Sequence, residues 1–150
     1  QRVMAAWAYG YETPDTMAKF LGINEAKVRK LRGEVFDSLK QDEGIGKDLV
    51  AKAVVWGLLH GYVDVSRLKA IKPKRKLGRE EVRLVTAVAI KFLSNEQLAA
   101  ELSLPLHIVK ETKSNIREAL GVSSFYSALA WVTWRSLETF MSREDVTSGR

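Results

Sequence analysis

Apolar residues recur at helical spacing along most of the chain. In the second half, Val82, Val85, Ala89 and Phe92 form one apolar face at the 3.6-residue period. Ser94-Asn95-Glu96-Gln97 then spells a capping box, in which the Ser and Gln side chains satisfy free amides at a helix start, and opens a short helix through Leu98, Ala99 and Leu102. Pro105 restarts the chain at the first turn of a longer helix, where a missing amide costs nothing. That helix carries Ile108, Val109, Thr112, Ile116 and Leu120 inward and stops at Gly121. Ser123 or Ser124 caps a last helix through Met141.

The first half repeats this pattern. A shift of 81 residues lays Ala18 on Ala99, Leu21 on Leu102, Val28 on Val109 and Leu39 on Leu120, without a gap from position 13 to 39. Polar positions agree in character too, as in Thr13/Ser94, Asp15/Glu96, Arg29/Lys110 and Arg32/Lys113, so a whole small domain reads as duplicated. Thr13-Pro14 opens its short helix, Asn24 caps the long one, and a longer connection at Gln41–Gly46 precedes the fourth helix. Each half thus contains a short helix, a tight turn (Gly22-Ile23, Ser103-Leu104) and a longer helix, the helix-turn-helix order. The expected fold is all-α, two four-helix domains in tandem at 1–66 and 80–150, joined by a basic linker at 67–79.

Charge sharpens this division. Residues 1–66 sum to zero, residues 80–150 to −1 and residues 67–79 to +7, so the net +6 lies entirely in the linker. Its centre, Ile71-Lys72-Pro73-Lys74-Arg75-Lys76-Leu77-Gly78, reads as a solvated loop or as a contact for a polyanion. There is no cysteine, which excludes disulfides and thiolate zinc sites, and no metal or cofactor constellation is visible. No apolar run is long enough for a membrane span, so the chain is not expected to cross a membrane, and the lack of cysteine is compatible with a cytoplasmic place. The chain begins at Gln1 without an initiator Met and reads as a fragment or processed product.

The run Leu93-Ser94-Asn95-Glu96-Gln97-Leu98-Ala99, then Val109-Lys110, Ser114-Asn115-Ile116 and Leu120-Gly121-Val122-Ser123-Ser124, closely resembles the DNA-binding domain of the LuxR/GerE family of bacterial transcription regulators. The first half, with Met17-Ala18, Leu21-Gly22-Ile23 and Val28-Arg29, looks like a more diverged member. The resemblance implies a bacterial or phage regulator binding double-stranded DNA, with the third helix of each half in the major groove. Carried over by position, it assigns base contacts to Val28, Arg29, Val109 and Lys110, and Arg32 and Lys113, one helical turn on, lie on the same face and join them. Phosphate contacts fall to Lys27, Lys30, Ser94 and Asn95, and to Lys74, Arg75 and Lys76 of the linker. The chain departs from the family pattern where Lys27 and Ile108 replace its usual Thr and where Pro105 replaces a capping Ser. Unequal contributions are therefore expected, with the first helix and the linker supplying more of the phosphate affinity.

Tryptophans Trp7, Trp56, Trp131 and Trp134 alternate with apolar residues at helical spacing and read as core. Trp56, Leu59, Trp131 and Trp134 fall on the fourth helices, where family members commonly dimerise, and are candidates for an internal pseudo-dimer contact or a homodimer interface; packing inside their own domain is the competing account. His60 and His107 stand in unrelated contexts and no carboxylate pair or phosphate loop is visible, so an enzyme is not expected. The alternative function is a helix-turn-helix repurposed to bind another regulator, RNA polymerase or a recombinase.

Overall fold

The computed structural model describes residues 1–40 and 47–148, with side chains described through Thr139; the long connection expected at Gln41–Gly46 lies outside the described residues. Described residues form nine helices and no named strand. These are α1 (Arg2–Ala8), α2 (Pro14–Leu21), α3 (Glu25–Leu39), α4 (Leu49–Leu59), α5 (Val65–Lys69), α6 (Arg79–Lys91), α7 (Asn95–Leu102), α8 (Leu106–Leu120) and α9 (Phe125–Ser148). Among them no helix is long and apolar enough to cross a membrane.

Local chemistry accounts for the helix boundaries. Thr13 Oγ1 accepts from the Thr16 amide at 3.2 Å, and Asn24 Oδ1 from the Lys27 amide at 2.8 Å. The box at Ser94 is closed in both directions, with Ser94 Oγ accepting from the Gln97 amide and Gln97 Oε1 from the Ser94 amide. Pro105, by contrast, precedes α8 without any side-chain cap. Helices α2 and α7 end on left-handed residues, Gly22 at φ +69° and Ser103 at φ +56°. Glycine adopts that conformation freely, whereas Ser103 holds it at a cost of about 1 kcal/mol or more. The last helix is capped at Ser124, whose Oγ accepts from the Tyr126 amide, and runs beyond the expected end at Met141 to Ser148.

The repeat is visible in three dimensions. Helices α2 and α3 coincide with α7 and α8 under the same 81-residue shift, residue for residue at both ends. Paired positions share their burial: Met17 and Leu98 are inaccessible, as are Val28 and Val109, and Leu21, Leu39, Leu102 and Leu120 are buried. Packing partners correspond as well. Contacts α1·α4, α2·α3 and α3·α4 have counterparts in α6·α9, α7·α8 and α8·α9. Contacts between halves also exchange: α1 meets α9 as α6 meets α4, while α4 and α9 meet each other. Such reciprocity is the signature of a two-fold relation between like units.

The two halves are not separate bodies on a linker, as the sequence suggested, but share one apolar core that extends from Val3 to Ala130. Loops complete the junction. Lys47 pairs with Leu93 as an isolated bridge, the Asp48 amide donates to Phe92 O at 2.7 Å and Lys47 Nζ to Lys91 O at 3.0 Å. On the opposite side Gly10, at φ +98°, lies so close to the start of α9 that an added Cβ would stand 2.7 Å from Ser123 Oγ. Helix α5 crosses the expected boundary at residue 66, and Arg67 belongs to the first half, its guanidinium lying 4.5 Å from the Tyr9 ring centre and 5.0 Å from that of Phe20.

Candidate nucleic-acid interface

Helical phase decides what α3 can offer to a partner. Val28, Leu31, Val35 and Leu39 recur at three- and four-residue steps and turn toward α2 and α4. The opposite side presents Ala26, Lys27, Arg29, Lys30 and Glu34 to solvent, with Gly33 half-exposed between them. Arg29 reaches back to Glu25 at 3.2 Å, an exposed pair worth no more than about 1 kcal/mol and easily exchanged for another anion. The first two turns thus carry three cations beside two residues, Ala26 and Gly33, that add almost no bulk.

This arrangement corrects four of the six expected base contacts. Val28 and Val109 are inaccessible core residues and cannot meet a thymine methyl. Periodicity had put Val109 inward while the resemblance put it in the groove, and the packing against the preceding short helix favours periodicity. Arg32 and Lys113 lie on the same inward stripe, one turn beyond the valines, and are half-buried. Each covers an aromatic ring, Arg32 that of Trp7 at 5.6 Å and Lys113 that of Phe125 at 4.6 Å. Burial lowers the Lys113 ammonium below the usual lysine range, against the attraction of Asp48 and Glu96. Arg29 and Lys110 alone of the six stand in solvent.

Across the two-fold relation, the outward face of α8 is different chemistry. Where α3 has Ala26, Lys30, Gly33 and Asp37, α8 has His107, Glu111, Ser114 and Glu118. A carboxylate, Glu111, thus replaces the central lysine beside Lys110. Ser94 is half-buried and engaged in its capping box, and Asn95 Oδ1 is buried without a hydrogen-bond partner. Both half-buried residues are less open to a phosphate than the exposed Lys27 and Lys30.

The basic segment is strapped to the second half. The Lys74 amide donates to Ala119 O at 2.7 Å, at the end of α8. Arg75 makes a two-pronged contact with Glu81, at 2.7 and 2.8 Å, and reaches Asn115 O. The hydrogen bond from Arg75 holds the Glu81 carboxyl below the usual range, despite partial burial, and Glu81 also accepts from the Gly78 amide at 2.8 Å. Arg75 is therefore held by intramolecular contacts although its side chain is exposed, as are those of Lys74 and Lys76.

The proposed interface tryptophans divide. Trp56 and Leu59 are 44% and 60% exposed, so most of the Leu59 side chain and nearly half of Trp56 face solvent. Trp56 instead stacks on His60 at 4.3 Å, and His60 on Tyr62. Trp131 and Trp134 are half-buried against the core and share Arg135, which lies 5.8 Å from each ring centre. Small and aliphatic residues line the facing helices, Ala51, Val54, Val55 and Leu58 in α4 and Ala128, Leu129 and Ala130 in α9. Sequence reasoning missed Ala26, Gly33 and Glu111, although the phase set by Val28, Val35 and Leu39 contains the information that exposes them. Among the described residues no group of three or more His, Cys, Asp or Glu side chains could hold a metal ion. Comparison of the chain with protein-family models, curated proteins and solved structures finds no match.

Proposed function

We propose that this protein binds double-stranded DNA as a sequence-specific transcription regulator, through a tandem of LuxR/GerE-like helix-turn-helix units fused into a pseudo-dimer. The observation that carries the reading is the outward face of α3, where Lys27, Arg29 and Lys30 project from the first two turns of a capped helix beside Ala26 and Gly33. Arg29 can read guanine O6 and N7, Lys27 and Lys30 can take phosphates, and the small residues let the helix approach base edges closely. Asn24, at the tip, keeps the helix start ordered.

The two halves then contribute unequally. The reciprocal contacts between halves support an asymmetric site of two inverted half-sites, one read by α3 and the other weakly contacted by α8. Selection of bound duplexes from a random pool, followed by polarisation titration at low and moderate salt, tests this. The expected result is one strong half-site and a steep salt dependence. Failure to bind any duplex at low salt would overturn it.

A second reading is favoured by α8. Its outward face pairs Leu106, which is 36% exposed, with His107 and Glu111, a composition suited to a protein surface rather than a phosphate backbone. On that reading the helix-turn-helix serves to engage another regulator, RNA polymerase or a recombinase.

A further inference from the structure

The second half carries a surface groove whose apolar floor DNA reading does not use. It occupies about 820 Å³ between the strapped segment, the start of α6, the end of α8 and the middle of α9. Leu77, Val82, Leu120, Trp131 and Val132 make its apolar lining, and Val82 is 43% exposed at its lip. Lys76 and Arg135 stand on its rim, exposed and without a carboxylate partner among the described residues. Among the described residues no acidic side chain lines it. Glu81 close by is already engaged by Arg75, which leaves Lys76 and Arg135 as the charges on the rim.

The counterpart in the first half marks this as a local feature. Between α1, α3 and α4 lies a groove of about 570 Å³ in which Glu34 accompanies Arg2, so its charges balance. Of these two grooves the second combines an apolar floor with cations that, among the described residues, have no carboxylate partner.

We infer that this groove docks an acidic amphipathic helix of a partner protein, its apolar residues against Val82, Leu120 and Trp131 and its carboxylates on Lys76 and Arg135. A helix laid in a groove is read by apolar anchors at i, i+3 or i+4 and i+7, for which the apolar lining supplies the contacts, while rim cations select the sign of the flanking charges. A nucleic acid would leave the apolar floor unsatisfied. This docking site is independent of α3 and does not rest on DNA reading.

The test is selection of displayed random peptides of about 16 residues, long enough for some four helical turns, against the full chain. Enriched peptides should combine apolar residues at helical spacing with Asp or Glu. They should lose about tenfold or more in affinity for Val82→Asp and for Arg135→Glu, with helical circular dichroism unchanged in both. Because Arg135 is a surface residue, its variant keeps the test decisive if Val82→Asp folds poorly. Enrichment of peptides without carboxylates, equal binding to both variants, or no enrichment overturns the inference. Weakened duplex binding by Arg135→Glu with no peptide selected assigns the groove to nucleic acid instead. Duplex affinity unchanged in both variants separates this site from α3.

Discussion

The Tyr126 hydroxyl, on the first turn of α9, donates to the Asp48 carboxylate at 2.9 Å, and Asp48 in turn accepts from the Ala51 amide at 3.0 Å as the cap of α4. One side chain pair thus joins the starts of the two helices at the centre of the junction. A hydrogen bond to a charged acceptor contributes about 1.5–3 kcal/mol when both groups are withdrawn from water. Tyr126→Phe should therefore destabilise the fold by about 1–2 kcal/mol, and Asp48→Ala by more because the cap is lost as well. Denaturant titration of the single and double variants measures the coupling; additive losses would show that the pair does not act as a unit.

Burial, followed by the Asp48 charge and hydrogen bond, pushes the Tyr126 phenol far above its usual value of 10.0. A raised folded-state value means that the unfolded chain gives up this proton first. Stability is therefore full below about pH 10 and falls as pH rises beyond it. Glu81 works in the other sense: its depressed value gives stability that is present above the ordinary 4.5 and is lost as pH falls below it. Thermal melts across pH should show both edges, with the alkaline one moved in Tyr126→Phe and the acid one moved in Arg75→Gln.

Neighbouring positions on α3 should separate fold from recognition. Val28→Ala removes inaccessible methyl groups and should cost about 2 kcal/mol of stability while leaving the preferred DNA sequence unchanged. Arg29→Ala should leave the melting temperature within about 1 °C and cost about 1–3 kcal/mol at a matched base. Paired melting and binding curves on the two variants check this, and an Arg29→Ala chain that binds as tightly and selectively as the parent refutes base reading by α3.

Within the basic segment, Lys74→Gln with Lys76→Gln should weaken binding to all duplexes alike and flatten the log–log salt slope by about 2 at most. Arg75→Gln should instead lower the melting temperature, because it breaks the double contact with Glu81. Titrations at several salt concentrations distinguish the two roles.

Gly10 and Gly22 both have positive φ but differ in surroundings. At Gly22 an added Cβ meets nothing within 4 Å, so Gly22→Ala should cost only the conformational strain, about 1–2 kcal/mol. At Gly10 the same strain is joined by a clash with Ser123 and Ser127, so Gly10→Ala should cost more and loosen the contact between halves. Hydrogen exchange at the start of α9 reports the difference.

Helix order, caps and duplication were legible because they are local or periodic. A Thr, Asn or Ser three residues ahead of a free amide acts wherever the chain places it, and the 81-residue shift aligns like with like without reference to distance. The outward face of α3 was legible in principle, since the buried stripe through Val28, Val35 and Leu39 leaves Lys30 opposite and puts Arg32 inward. Assigning Val28 by family position, and Arg32 by the face it shares with Val28, set that phase aside, and the packing shows the phase to be the better guide. The junction between halves is another matter. Asp48 meets Tyr126 across 78 positions, and Arg75 chooses Glu81 over solvent only because the end of α8 holds its backbone in place. Periodicity says which face of a helix is apolar but not which other apolar face will cover it. That choice depends on the joint packing of α1, α4, α6 and α9, so the fusion of two domains into one core, and the cationic groove beside it, were decided only when the whole chain was folded.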